Sequence, residues 1–239
     1  MWRVPGPSRS WRVLAILALV AVAAILAVLV EHDDPLTRAD ARIVEEVARW
    51  RPDWVVDLAR ALTTLGSGWV ATPALLGAGI LLVLDDRVPW RVALLPLVAL
   101  LVAVALVPVL KDLVDRPRPP LALHAVDEGS SAFPSGHALQ SAAGWLTLGL
   151  VLTRERADRR WLAATAVLVV AIGITRVVLA VHSPSDVLAG WALGAALALA
   201  LAGGRGRPVS RGGGRPRGRA PRPPSPAAPR PPGAAADPR

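Results

Sequence analysis

The chain has no cysteine. That excludes a disulfide framework and any thiolate chemistry. Lysine is almost as scarce. Of the 27 basic residues only Lys111 is a lysine, in a chain whose Ala, Arg, Pro and Gly bias is that of GC-rich coding. A lone lysine in such a chain is either chance or a place where a compact ammonium is wanted rather than a guanidinium fork. The sequence shows no internal repeat, and its polar clusters hold no convergent carboxylates, so no metal site is expected. The formal charge is +9, which by itself could point to nucleic acid. Most of the excess, however, follows Gly203, in Arg, Pro, Gly and Ala. No aromatic side chains interleave with those arginines, so a nucleic-acid partner is not expected.

Long apolar runs are abundant. Hydrophobic residues make up 53% of the chain and mean hydropathy is +0.45, too apolar for an ordinary soluble domain of this length. Runs of about 18 or more apolar residues read as transmembrane helices. Six such spans are expected, at about 11–30, 69–84, 90–110, 136–152, 161–181 and 185–202. The first could be a cleaved signal peptide, but its apolar run is long for that, and a retained anchor is the better reading. The expected fold is all-α: an integral membrane bundle of six transmembrane helices over 11–203, a short cytoplasmic N-terminus at 1–10, and a disordered basic tail at 204–239.

Between the first two spans, Ile43, Val47 and Trp50 are spaced for one helical face. Trp54, Leu58 and Leu62 continue beyond Pro52 on a second short helix. This segment suits the membrane interface, and packing against the bundle serves equally as its role. Arg3, Arg9 and Arg12 at the N-terminus, Arg154, Arg156, Arg159 and Arg160 after the fourth span, and the basic tail fall on one side of a six-span topology. The positive-inside rule makes that side cytoplasmic and places loops 31–68, 111–135 and 182–184 outside.

Three polar clusters share the outer side. Lys111 and Arg118-Pro119 follow the third span. Pro134-Ser135-Gly136-His137 opens the fourth. Arg176 lies inside the fifth, with His182 and Asp186 after it. Singly, each has a plain reading. Lys111 and Arg118 could be snorkelling anchors, His137 part of a helix cap, His182 a loop residue, and Asp186 a first-turn carboxylate. Arg176 is different, because a charge inside an apolar span calls for a partner. Together, three cations and the free N–H groups of a helix start suit a phosphate group. Asp186 lies within reach of His182 and could fix its tautomer for nucleophilic attack, while His137 suits acid/base work. His32 and His124 lie in outer loops without patterned partners.

In order and spacing, Lys111-x6-Arg118-Pro119, Pro134-Ser135-Gly136-His137 and Arg176-x5-His182-x3-Asp186 resemble the three-part signature of the type-2 phosphatidic acid phosphatase family. The resemblance covers roughly residues 60–200, with its signature at 111–186. One departure is Thr175, where the family commonly has serine. The resemblance implies His182 as nucleophile, Asp186 as its partner and His137 as acid/base. It implies Lys111, Arg118, Ser135, Gly136 and Arg176 as phosphate ligands, with no metal and no cofactor. The implied protein is a multi-pass cell-membrane phosphatase with its site on the extracytoplasmic face and its tail in the cytoplasm. Its substrate would be a lipid phosphate: phosphatidic acid, phosphatidylglycerol phosphate or a polyprenyl pyrophosphate. The alternatives are a phosphotransferase that passes the group to an alcohol, or a non-catalytic binder or transporter of anionic lipid.

Overall fold

A computed structural model describes residues 9–31, 35–85 and 88–202. Residues 1–8, His32 and the tail from 203 onward, including the expected disordered segment, lie outside the described residues. The described residues form helices and connecting loops, with no strand among them. The helices are α1 (Arg9–Val30), α2 (Pro35–Trp50), α3 (Asp53–Thr63), α4 (Gly68–Leu84), α5 (Trp90–Ala93), α6 (Leu95–Val114), α7 (Gly136–Arg156), α8 (Arg160–Val178) and α9 (Pro184–Ala202).

Helices stand at all six places where spans were expected, but the segments differ in kind. Four are long and apolar enough to cross a membrane: α1, the Trp90–Val114 segment, α8 and α9. A fifth arises if the segment Asp53–Gly66 and α4, bent by 54°, are one broken span. By length and composition alone, four or five segments among the described residues qualify as spans, and α7 is the expected span that does not. The difference has a physical cause in α7. It is the central helix, enclosed by α6, α8 and α9, so it is built for contact with protein rather than lipid. Its buried residues include Ala138, Ser141, Ala142, Ala143, Gly144, Thr147 and Gly149. Small residues let membrane helices approach closely. The Ser141 and Thr147 hydroxyls donate to the Ala138 and Ala143 carbonyls of their own helix, at 3.2 and 2.6 Å, so both are satisfied within the bundle.

Helices α7 and α9 pack backbone against backbone. A Cβ built on Gly190 would lie 2.7 Å from the Ser135 carbonyl oxygen, and one on Gly194 would lie 2.5 Å from the Leu139 carbonyl oxygen. Ala99, Ala103 and Val107 of α6 close on Leu139 and Ala143 from the other side. Helix α1 packs on α9 through Ala23, Val30, Ala189 and Ala192 and leaves Leu14, Leu17 and Ile25 exposed, as a lipid-facing helix does.

The segment between α1 and α4 is helical as expected, and its apolar stripe faces outward. Asp40 and Val44 are the buried residues of α2 and Ala59 that of α3, whereas Ile43, Trp50, Trp54 and Leu58 are exposed. Trp50, Trp54 and Trp69 are 74, 68 and 93% exposed. Exposed tryptophans beside apolar helices are typical of the membrane interface.

Candidate active site

The three sequence clusters meet at one end of the bundle. Helix α6 runs further than expected, so Lys111 falls in its last turn and is 8% exposed. Asp115, in the left-handed region at φ 42°, ends the helix. The chain then runs through Arg116-Pro117-Arg118-Pro119, where alternating prolines disfavour helix. Lys111 Nζ donates to Ser130 Oγ at 2.7 Å and to the Ser131 carbonyl at 2.6 Å. Arg118 Nε donates to the Ser130 carbonyl at 2.5 Å and its Nη1 to the Val181 carbonyl at 2.6 Å. The loop at 130–131 therefore ties the two cations of the first cluster together, and Arg118 itself reaches the third.

Arg176 lies in the last turn of α8 and is 1% exposed. Its Nη1 donates to Thr63 Oγ1 at 2.9 Å and its Nη2 to Glu128 Oε1. Glu128 Oε2 lies 3.5 Å from Arg118 Nη2, so one carboxylate spans two of the expected phosphate ligands. Burial alone would raise Glu128, but the Arg176 and Arg118 guanidiniums outweigh it and hold its carboxyl below the ordinary value. His137 and His182 both lie close enough to push in the same direction.

After α8 the chain turns through Ala180, at φ 57°, and presents His182, which is 2% exposed. Its Nδ1 lies 3.6 Å from Asp186 Oδ2, a close contact slightly beyond hydrogen-bond length. Its Nε2 lies 3.3 Å from Arg118 Nη1. An arginine can only donate, so Nε2 carries the lone pair and the ring proton sits on Nδ1, facing Asp186. This tautomer follows from the partners. Burial holds His182 down to about 4, against the favourable pull of Asp186.

Asp186 has no exposed surface. Its Oδ2 accepts from the Ser183 amide at 2.7 Å and its Oδ1 from Arg116 Nη1 at 2.5 Å. The Ser135 amide donates to the Asp186 carbonyl at 3.0 Å, which fixes the start of α7 against the start of α9. Gly136 is the first residue of α7, and a Cβ there would lie 3.3 Å from Val107 Cγ1. His137 follows, half-buried and beside Gly66. Besides His124 Nδ1, Thr153 Oγ1 and His182 Nδ1, the buried polar atoms with no hydrogen-bond partner in the structure include Ser135 Oγ and Arg176 Nε. Unpaired buried donors are rare and call for an account; Ser135 Oγ and Arg176 Nε belong to residues expected to hold phosphate.

Three charged residues at this end were not singled out by the sequence: Glu128, Arg116 and Asp40. Thr175, the departure from the usual serine, donates its hydroxyl to the Ile172 carbonyl at 2.5 Å and so serves its own helix. His124 is half-buried, with Nε2 2.9 Å from the Pro119 carbonyl. Among the described residues no group of three His, Asp or Glu side chains could hold a metal ion.

Residues 92–207 match the family model described as the PAP2 superfamily. Phosphatidylglycerophosphatase B of Bacillus subtilis is 30% identical over 170 residues, 68% of this chain and 81% of that protein. The chain belongs to the PAP2 superfamily. A second relative, the decaprenylphosphoryl-5-phosphoribose phosphatase of Mycobacterium tuberculosis, is 36% identical over 162 residues, covering 64% of this chain and 84% of its own. Among solved structures, a transmembrane PAP2-type phosphatidylglycerolphosphate phosphatase from Bacillus subtilis superposes with a TM-score of 0.73 at 28% identity, over 79% of this chain and 94% of the other. Aquifex aeolicus LpxE shares the fold, with a TM-score of 0.55 at 23% identity over 68% and 93% of the two chains. The protein is thus an all-helical, multi-pass membrane member of the PAP2 superfamily, and its three signature clusters converge.

Proposed function

We propose that this protein is a lipid phosphate phosphatase that works through a phosphohistidine on His182. One observation carries the reading: His182 sits between Asp186 on its Nδ1 side and Arg118 on its Nε2 side, with Arg176 linked to Arg118 through Glu128. That arrangement suits a nucleophile facing a phosphate clamp.

In the first step the Nε2 lone pair of His182 attacks phosphorus, and the bond to the lipid oxygen breaks. His137 donates a proton to the departing oxygen. The imidazole then carries phosphorus on Nε2 and a proton on Nδ1, and Asp186 balances its positive charge. Lys111, Arg118 and Arg176, with the first-turn N–H groups after Ser135, neutralise charge on the phosphoryl oxygens. In the second step His137 takes a proton from water, the water oxygen attacks phosphorus, and the phosphorus–nitrogen bond breaks. Inorganic phosphate leaves and His182 regains its lone pair.

A lipid-borne substrate fits the surroundings. A cavity of about 250 Å³ is walled by Val30 of α1 and by Ala41 and Val44 of α2, and it adjoins Arg116, Arg118 and Ser183. Apolar residues on the α1 and α2 side, interspersed with Thr37 and Glu45, and cations on the other suit a phosphate on an acyl or prenyl chain. The relatives' names point to phosphatidylglycerol phosphate and polyprenyl-linked phosphates as first candidates. The site belongs on the extracytoplasmic face. Arg154 is bonded to the Ala202 carbonyl and Arg156 to Asp85. The ends of α4, α7 and α9 therefore share a basic surface opposite the site, which the positive-inside rule assigns to the cytoplasm together with the tail.

The test is phosphate release by the purified protein in detergent, with chelator present, from phosphatidic acid, phosphatidylglycerol phosphate, a polyprenyl pyrophosphate and a prenyl-linked sugar phosphate. Metal-independent release from at least one of these is expected. Binding without release would favour an anionic-lipid binder, and label passing to an added alcohol in preference to water would favour a transferase.

A further inference from the structure

Behind Asp186 lies a second layer of buried charge. Arg116 is 7% exposed and Asp40, on α2, is 2% exposed. Arg116 holds two carboxylates at once: Nη1 donates to Asp186 Oδ1 at 2.5 Å and Nη2 to Asp40 Oδ2 at 2.9 Å. Ser185 fills the remaining space. It has no exposed surface, its Oγ accepts from Arg116 Nη1 at 2.8 Å and donates to Asp40 Oδ2, and its amide donates to Asp40 Oδ1 at 3.2 Å. Three charges of alternating sign are thus buried in a row that ends at His182. Asp40 lies outside the stretch that matches the family model and comes from an element more than a hundred residues away in sequence.

We infer that Arg116 and Asp40 are positioning residues for the nucleophile, acting through Asp186. The inference rests on the reading of His182 as nucleophile, and the two residues have separable tasks. Arg116 occupies Asp186 Oδ1. This leaves Oδ2 for the Ser183 amide and His182 Nδ1, so the carboxylate cannot rotate away from the ring. That grip alone would carry an electrostatic cost. An Arg116–Asp186 pair is neutral overall, and the guanidinium would oppose the positive charge that develops on the imidazole as phosphorus bonds to Nε2. Asp40 offsets the guanidinium, so the row keeps one net negative charge and Asp186 remains an effective counter-ion. A buried ion pair is also a plausible fold staple, so the test must separate the two roles.

The experiment is a double-mutant cycle on the full chain in detergent, using the best substrate of the panel. The variants are Asp40→Asn, Asp186→Asn and their combination, each checked by tryptophan-fluorescence melting. Asparagine keeps the shape of Asp40 and removes its charge. Asp40→Asn should lower kcat by about tenfold, within the range of coupled charge networks, and leave KM within about twofold, because the phosphate ligands are untouched. In the Asp186→Asn background the same change should have little further effect. Equal losses in both backgrounds, or a loss confined to melting temperature, would overturn the inference and leave a structural staple. If Asp186→Asn itself retained full activity, the phosphohistidine reading would fail first. Running the cycle with Arg116→Lys, which keeps the charge but cannot grip both carboxylates, serves if Asp40→Asn does not fold. The same loss of coupling is expected there, and additivity would again overturn the inference.

Discussion

The Glu128 carboxylate is hydrogen-bonded to the Arg176 guanidinium, with its second oxygen toward Arg118. An incoming phosphate would seek the same two arginines. Glu128→Gln removes the competing charge and should tighten inhibition by inorganic phosphate or orthovanadate by about tenfold, or 1.4 kcal/mol. An unchanged or weaker inhibition constant would mean that Glu128 orients the arginines for phosphate instead of competing with it.

The burial of His182 sets a pH signature. Its folded value of about 4 lies below the ordinary imidazole value of 6.5, so the lone pair on Nε2 is available well into the acid range. The acid limb of kcat/KM, corrected for ionisation of the substrate phosphate, should fall nearer pH 4 than 6.5. Stability follows the same sign. Between these values the unfolded chain binds a proton that the folded chain does not. This contribution is therefore fully present above about pH 6.5 and lost as pH falls toward 4. A limb at 6.5 would mean an exposed histidine controls the rate.

Gly190 brings α9 against the start of α7. Gly190→Ala would place a methyl 2.7 Å from the Ser135 carbonyl oxygen, 2.9 Å from Ala138 Cβ and 3.0 Å from the Leu139 amide. Backbone lies on two of those three sides, so the helices must part. A stability loss of about 1–3 kcal/mol is expected, seen as a lower melting temperature in detergent. A drop in kcat should accompany it, because Ser135, Gly136 and His137 move away from His182. Wild-type activity in this variant would show that the α7–α9 distance has slack.

Much of the site was legible because its residues break local rules. Arg176 is a charge inside an apolar run, and Pro134 to His137 are polar where a span begins. Fixed spacing then linked Arg176, His182 and Asp186 across one loop. Glu128 was not legible, since an acidic residue in a polar loop reads as solvated. Arg116 stood in the open beside Arg118, but an arginine between an aspartate and a proline gives no sign of burial. Asp40 carried a faint signal. It lies four residues before Val44, on the stripe that proved to be buried, whereas the spacing of Ile43, Val47 and Trp50 drew attention to another face. Its partners are far away in the chain, and no local pattern encodes them. Helix α7 falls short of a span's hydropathy for a related reason: hydropathy reports contact with lipid, and α7 meets mostly protein.

The most direct measurement is to trap the covalent intermediate. Substrate labelled in its phosphate is mixed with protein and quenched in alkali, where phosphohistidine survives, and the label on the chain is mapped. Wild type should carry acid-labile label at His182. His182→Ala should carry none, with phosphate release reduced by roughly a thousandfold or more. Label elsewhere, or release that survives in His182→Ala, would contradict His182 as the nucleophile.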